Sequence, residues 1–200
     1  MPPAVKSKLK PGPRTAGKLD RDIILNGAFA VLDEYGLEGL SLRVLAGHLH
    51  VRAPALYWHV QNKAELIGMM AAKFGAAASA AMPKKAKWPD MLVAYGQALR
   101  TAMLAHRDSA RLCAIAEPSE YPQANAKRIA EPLVAAGLDA ERALRCQSAV
   151  IAYTLGSVIY EQSGPMHEHL AYMIDFEQSY DAGLLAMIRG FQFEIKKRKA

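Results

Sequence analysis

Tyr57, Trp58 and His59 stand side by side in the run Pro54-Ala55-Leu56-Tyr57-Trp58-His59-Val60, and they are the residues whose types and spacing most invite chemistry. Leu56 and Val60, four apart, share a helical face that turns inward and leaves the three rings largely outside. Three ring side chains exposed together on a basic chain mark a surface that touches something, and a recognition helix in a DNA groove fits them best. The bland alternative makes Tyr57 and Trp58 core aromatics, but a helix this short has little apolar face left after Leu56 and Val60. His59 by itself is an ordinary surface histidine and gains weight only from its neighbours.

The elements that must hold this run are short. Leu42, Leu45, Ala46 and Leu49 recur at helical spacing and face a core, with Ser41 placed to cap their helix. After a tight turn, Pro54 opens the second helix, where its fixed φ suits a first turn and its missing N–H is not needed. Ahead of the pair a helix is expected over Asp20–Glu34, and behind it a long helix from Lys63 to about Ala80.

The wider context carries a resemblance. Leu19-Asp20-Arg21-Asp22-Ile23-Ile24-Leu25-Asn26-Gly27-Ala28 leads to Tyr35-Gly36-Leu37-Glu38-Gly39-Leu40-Ser41, then to the two short helices, then to Asn62-Lys63-Ala64-Glu65-Leu66. This order, a G-x-x-G-L-[ST] helix start, an aromatic recognition helix and an N-K-x-x-L linker-helix start, resembles the DNA-binding domain of the tetracycline-repressor (TetR) family. The Leu56-Tyr57-Trp58-His59 run points to the branch around the tetracycline repressor itself. The resemblance implies that Arg43 contacts a base or phosphate, with bidentate reach to guanine O6 and N7. It implies that Ala53, Pro54 and Ala55 open the recognition helix where small apolar groups meet thymine methyls. It gives Tyr57, Trp58 and His59 hydrogen bonds to phosphates or packing on the sugar backbone, and it gives Lys63 a phosphate. Arg43 and Lys63 taken singly are indistinguishable from solvated charges. The chain departs at Leu42, His50 and Ala53, where the relatives carry threonine, a turn glycine and glutamine. A different operator is therefore expected, and His50 must accept a strained backbone or reshape the turn.

Composition agrees with a DNA partner. The chain has 200 residues, 52% of them hydrophobic, with a net charge of +6, enough for one small domain joined to a larger one. Lys6, Lys8, Lys10, Arg14 and Lys18 precede any acidic residue and lie among prolines and glycines, so residues 1–18 read as a flexible basic arm that meets phosphates or a minor groove, or simply aids solubility. Lys196-Lys197-Arg198-Lys199 closes the chain and suits the dipole of a final helix. No apolar run reaches membrane-spanning length, and no apolar signal region follows the first lysines. Cys113 and Cys146 are far apart and read as reduced thiols of a cytoplasmic, nucleoid-associated protein.

Strand patterns are almost absent, so an all-α fold is expected: a helix-turn-helix reader over 19–62 and a helical effector-binding and dimerisation body over 63–200, sharing the helix that starts at Asn62-Lys63. Further helices are expected over Trp88–Ala105, Ser109–Ala116, Tyr121–Ala136 ended by Gly137, Asp139–Gln162 ended by Ser163-Gly164-Pro165, and Tyr172–Lys196. Ala149, Ala152, Leu155, Gly156 and Ile159 give one long helix a small-residue face, and Leu184, Leu185, Ile188, Phe191 and Ile195 give another a bulky stripe. In the family such helices build the homodimer, and a two-fold dimer demands a palindromic operator.

In the body the resemblance continues through Trp88, Leu104–Ala110, Ser148–Val150 and Thr154–Gly156. The residues that hold a magnesium–tetracycline complex do not carry over. A metal-binding histidine falls on Cys113, its threonine and arginine neighbours on Ala116 and Glu117, a pocket histidine on Ser79, a pocket asparagine on Tyr95, and a partner-chain glutamate on Tyr160. Tetracycline is thus not the expected effector. Tyr95, Met103, Cys113, Glu117, Tyr153 and Tyr160 are the candidate effector-binding residues, in a body rich in methionine and aromatics that plain core packing also explains. Glu117 and Glu161 would suit a cationic ligand if they faced a cavity, although surface placement is the simpler reading. His167 and His169, two apart, face different sides of a helix and make a poor metal pair.

The expectation is a ligand-responsive repressor with no cofactor, metal site or catalytic residue, whose partners are palindromic duplex DNA, a small-molecule effector and a second copy of the chain. A constitutive DNA-architectural protein is the alternative, and a helical carrier or enzyme a further one. No nucleophile–base pair, carboxylate dyad or Gly-rich phosphate loop supports the last.

Overall fold

In the computed structural model, which describes residues 19–117 and 130–197, α-helices and turns account for all regular structure among the described residues. The helices are α1 (Arg21–Gly39), α2 (Leu42–His48), α3 (Ala53–Tyr57), α4 (Lys63–Ala80), α5 (Trp88–Leu104), α6 (Ser109–Ala114), α7 (Ala140–Gln162), α8 (Gly164–Ala171) and α9 (Phe176–Lys197). Residues 130–135 are also helical.

Local capping chemistry sets most helix starts. The Asp20 carboxylate accepts from Ile23 N at 2.8 Å, Ser41 Oγ from Val44 N at 3.2 Å, Asn62 Oδ1 from Glu65 N at 2.8 Å and Asp139 Oδ1 from Arg142 N at 3.0 Å. Each satisfies one of the amides that a first helical turn leaves without a partner. At Asn62 the cap is reciprocal, because Glu65 Oε2 accepts from Gln61 N at 2.6 Å. Gly137, at φ 98°, ends the 130–135 helix, with Leu138 N donating to Leu133 O at 3.1 Å.

The three reader helices close on Ile24, Leu32, Leu40, Leu45, Leu56 and Val60, all fully buried. The turn between α2 and α3 keeps its six-residue closure without glycine. His50 adopts φ 56°, and Val51 N reaches back to Ala46 O at 3.0 Å. Of the two outcomes open for His50, the chain takes the strained one, at a cost of roughly 1–2 kcal/mol.

Three boundaries differ from expectation. The regular part of α1 ends near Glu34 as expected, but a further turn follows a break at Gly36 (φ 68°, ψ 179°). Ser163-Gly164-Pro165 ends α7 and at once begins α8, because proline within a first turn starts a helix as readily as it stops one. The last helix begins at Phe176 rather than Tyr172, where Asp175 Oδ1 accepts from Gln178 N at 2.9 Å. The expected basic arm, the stop at 118–119, residues 121–129 of the Tyr121–Ala136 helix and the final Arg198-Lys199 lie outside the described residues.

Candidate nucleic-acid interface and ligand cavity

The reading surface is built as the spacing requires. Leu56 and Val60 are fully buried, while Tyr57 is 54% and Trp58 89% exposed. Pro54 is exposed, and Ala53, Ala55 and His59 are half-buried. Arg43 projects from α2 into solvent and forms no ion pair among the described residues. Arg52, the residue before α3, is exposed in the same way and was missed in the sequence; its signal was a second arginine immediately ahead of the helix that Pro54 opens. An exposed guanidinium there is as well placed for phosphate as Arg43.

Lys63 is placed otherwise. It is half-buried, and its Nζ donates to Leu37 O at 3.1 Å, so one of its three ammonium donors tethers α4 to the last turn of α1. The same leucine is held from the body. The break at Gly36 takes Leu37 N out of the regular ladder, and Asp108 Oδ2 accepts from it at 3.0 Å. Asp108 itself is left-handed (φ 55°) and also holds Arg111 at 3.3 Å. Beside it Asp33 accepts from Arg107 N at 3.0 Å and lies 2.9 Å from His106 Nδ1, whose ring stacks on Phe29 at 4.3 Å. Gln162, at the end of α7, braces this turn by donating to His106 O at 2.7 Å. These contacts form a joint between reader and body, in which Asp33 and Leu37 meet His106, Arg107 and Asp108, 71 to 74 residues away in sequence.

In the body, α4, α5, α6 and α7 line a cavity of about 290 Å3 that opens to solvent. On α4 it is lined by the small residues Ala71, Ala72, Gly75, Ala76 and Ser79 together with Phe74, and Tyr95, Leu99, Met103, Cys113, Ile151 and Leu155 form the rest. The volume lies near the lower end of small-molecule sites, roughly 300–1,000 Å3. Three of the expected effector residues, Tyr95, Met103 and Cys113, meet here. The other three do not. Tyr153 stacks on Tyr180 at 5.2 Å and donates to Tyr180 O at 3.2 Å, Tyr160 is half-exposed on the outside of α7, and Glu117 is exposed beyond α6. Glu161 takes no part either, since both its oxygens accept from Arg100 at 2.8 and 2.6 Å in a nearly buried pair. Arg100 also lies over the Tyr180 ring.

Burial pushes the Cys113 thiol up to about 11 and raises Tyr95 above its ordinary value, because a thiolate or phenolate loses hydration there. Cys113 therefore holds its proton at neutral pH. With the pKa moved from 9.0 to about 11, iodoacetamide at pH 8 should alkylate Cys113 on the order of 100-fold more slowly than a free thiol, with the rate climbing between pH 9 and 11. Alkylation at the free-thiol rate, read by peptide mass, would show that burial does not hold the proton on Cys113. The linked stability has the same sign: the unfolded thiol ionises first, so this contribution is intact below pH 9 and lost as pH rises through 11.

The described lining residues do not fit a chelated magnesium ion. They offer no carboxylate and no imidazole, and a thiol that keeps its proton is a poor ligand for a hard cation. No group of three His, Cys, Asp or Glu among the described residues is placed to hold a metal. His167 stacks on Phe176 at 4.9 Å.

The outward faces of α7 and α9 are apolar, with Ala152, Ile159, Ala182, Leu185, Ala186 and Phe193 exposed and Phe193 at 71%. Leu184 and Ile188 are buried in the chain's own core and Leu155 lines the cavity, so those three leave the expected outer faces. No helix among the described residues is long and apolar enough to cross a membrane.

Comparison with known proteins agrees with this arrangement along nearly the whole chain. The model of bacterial regulatory proteins of the tetR family matches residues 24–70, and that of the tetracyclin repressor-like C-terminal domain matches 82–179. Tetracycline repressor protein class E of Escherichia coli is 32% identical over 91% of this chain and 95% of its own. A TetR variant from Acinetobacter baumannii AYE, solved in complex with minocycline, superposes with a TM-score of 0.72 at 33% identity, covering 88% of this chain and 97% of that one. TetR class A in complex with 5a,6-anhydrotetracycline and magnesium gives 0.69 at 28% identity, covering 87% and 98%.

Proposed function

This chain belongs to the TetR family, and we propose that it is a repressor that binds a palindromic operator as a homodimer and releases it when a small molecule other than a magnesium–tetracycline chelate fills the cavity. The observation that carries the DNA reading is the opposition within one short helix: Leu56 fully buried, Trp58 almost fully exposed. A side chain as large as tryptophan left in solvent beside an exposed tyrosine and two exposed arginines suits a surface completed by a partner. Arg43, Arg52, Tyr57, Trp58 and His59 carry the contacts in this reading, and Ala53, Pro54 and Ala55 let the helix approach the base edges. Lys63 keeps two further ammonium donors for a phosphate while it holds Leu37 O.

The cavity and the joint share their walls, which supports the response. α4 runs from the Lys63 tether past the cavity, and α6 carries Cys113 at the cavity while Asp108 at its start holds Leu37. A ligand that spreads α4 from α6 strains the contacts that orient the reader. The two readers of a dimer must sit about 34–36 Å apart to meet successive major grooves, so a small rotation of each lowers affinity. Only a ligand with different affinity for the two arrangements can do this. The apolar outer faces of α7 and α9 are the proposed dimer surface.

In vitro selection from random duplex DNA tests the reading. Recovery of one palindrome, bound by a dimer, is the expected outcome. Enrichment of no sequence, with binding that only tracks salt, would reduce the protein to an electrostatic binder.

A further inference from the structure

We propose that the cavity takes an uncharged, metal-free molecule of naphthalene size, held by apolar burial in space that Gly75 leaves open. This rests on the reading of the cavity as the effector site and narrows the chemistry and size of what enters.

The room comes from α4, and Gly75 is the observation that points there. Its backbone is helical, and a Cβ added to it would meet no atom within 4 Å. Neither a left-handed turn nor a close neighbour therefore calls for glycine at this position. Glycine inside a helix is destabilising relative to alanine, and the space it leaves belongs to the cavity. An apolar protein cavity of about 150 Å3 holds one benzene ring. This one measures about 290 Å3, enough for two fused rings.

The lining sets the charge. Its described side chains carry no Lys, Arg, Asp or Glu. The two titratable groups that line it agree: burial alone raises Cys113, and beyond burial Tyr95 feels only Gln147 beside it and Cys113. A neighbouring ammonium would lower both groups, and a carboxylate would raise them further. Glu161 is engaged by both nitrogens of Arg100 that reach it. A ligand charge pushed past Leu99 and Met103 would lose its hydration and find no counter-charge among these residues.

The test uses full-length protein and four probes: naphthalene, naphthalene-2,6-dicarboxylate, 2,6-bis(aminomethyl)naphthalene, and tetracycline with and without magnesium. The two charged probes carry a charge at each end, so neither can enter and leave all its charge at the open side. Calorimetry gives affinity, and iodoacetamide labelling of Cys113, read by peptide mass, locates the ligand. Cys146, which lies outside the cavity lining, is the internal control. Naphthalene should slow labelling of Cys113 and leave Cys146 unchanged. Both charged probes should bind at least about tenfold more weakly, and tetracycline should gain nothing from magnesium. Gly75→Leu should melt no lower than wild type, since leucine is the better helix former, and should lose naphthalene binding. Ala72→Leu, elsewhere in the α4 lining, serves the same purpose if the first variant misfolds. Charged probes that bind as tightly as naphthalene overturn the proposal. So do naphthalene that leaves Cys113 labelling unchanged, a magnesium-dependent gain for tetracycline, and undiminished naphthalene binding in the leucine variants. Palindrome binding by unliganded wild type is read separately. Its absence counts against the repressor reading, whereas intact palindrome binding with no protection of Cys113 counts against this inference alone.

Discussion

The Tyr57→Ala/Trp58→Ala double variant will melt with wild type and lose the operator. Both side chains stand in solvent and neither belongs to the buried core, so the change in stability should stay within about 0.5 kcal/mol, as for other surface substitutions. Each side chain offers phosphate or sugar a contact of about 1–3 kcal/mol, so removing both should weaken operator binding on the order of 100- to 1,000-fold. Fluorescence anisotropy against the selected palindrome, paired with thermal melting, separates the two quantities. Retained affinity at retained stability would sink the assignment of this surface. The neighbouring Leu56→Ala makes the contrast useful: Leu56 is fully buried, so its truncation attacks the fold first.

Gly36→Ala will damage both stability and DNA binding from a position that touches no DNA in this reading. At φ 68° and ψ 179° the residue occupies a region essentially restricted to glycine, and an added Cβ would lie 2.9 Å from Asp108 Oδ2 and 3.2 Å from the Arg107 guanidinium. Backbone strain alone costs about 1–3 kcal/mol, and displacing Asp108 leaves Leu37 N without its acceptor, adding about 1–3 kcal/mol. A variant that melts and binds DNA like wild type would show that the joint is not structural. Asp108→Asn is the milder companion, since its amide oxygen can still accept from Leu37 N while the charge facing Arg111 is removed.

The reader was legible because its signals are local. Asp20, Ser41, Asn62 and Asp139 cap helices three residues on, and Leu56 and Val60 lie one turn apart, so sequence spacing alone dictates which side of α3 turns inward. The α8 helix was illegible for an equally local reason: Gly164-Pro165 reads as a stop, yet proline in a first turn also permits a start. The cavity was half legible. Tyr95, Met103 and Cys113 come together, but Tyr153 and Glu161 are spent on Tyr180 and Arg100, partners 27 and 61 residues away. Gln147 went unnoticed because a glutamine in a long helix is ordinarily a surface residue, and only packing shows that it is buried beside Tyr95.

By itself the sequence determined the helical fold class, most helix starts, the short helix that bares Tyr57 and Trp58, and its family, because backbone capping and 3.6-residue periodicity act over a few positions. Only the tertiary structure decided that Lys63 holds Leu37, that Asp33, His106 and Asp108 make a joint, which face of α9 is buried, and which side chains surround the cavity. Those depend on where separate helices pack, and the same residue type serves as surface charge, tether or cavity wall according to what the rest of the chain brings beside it.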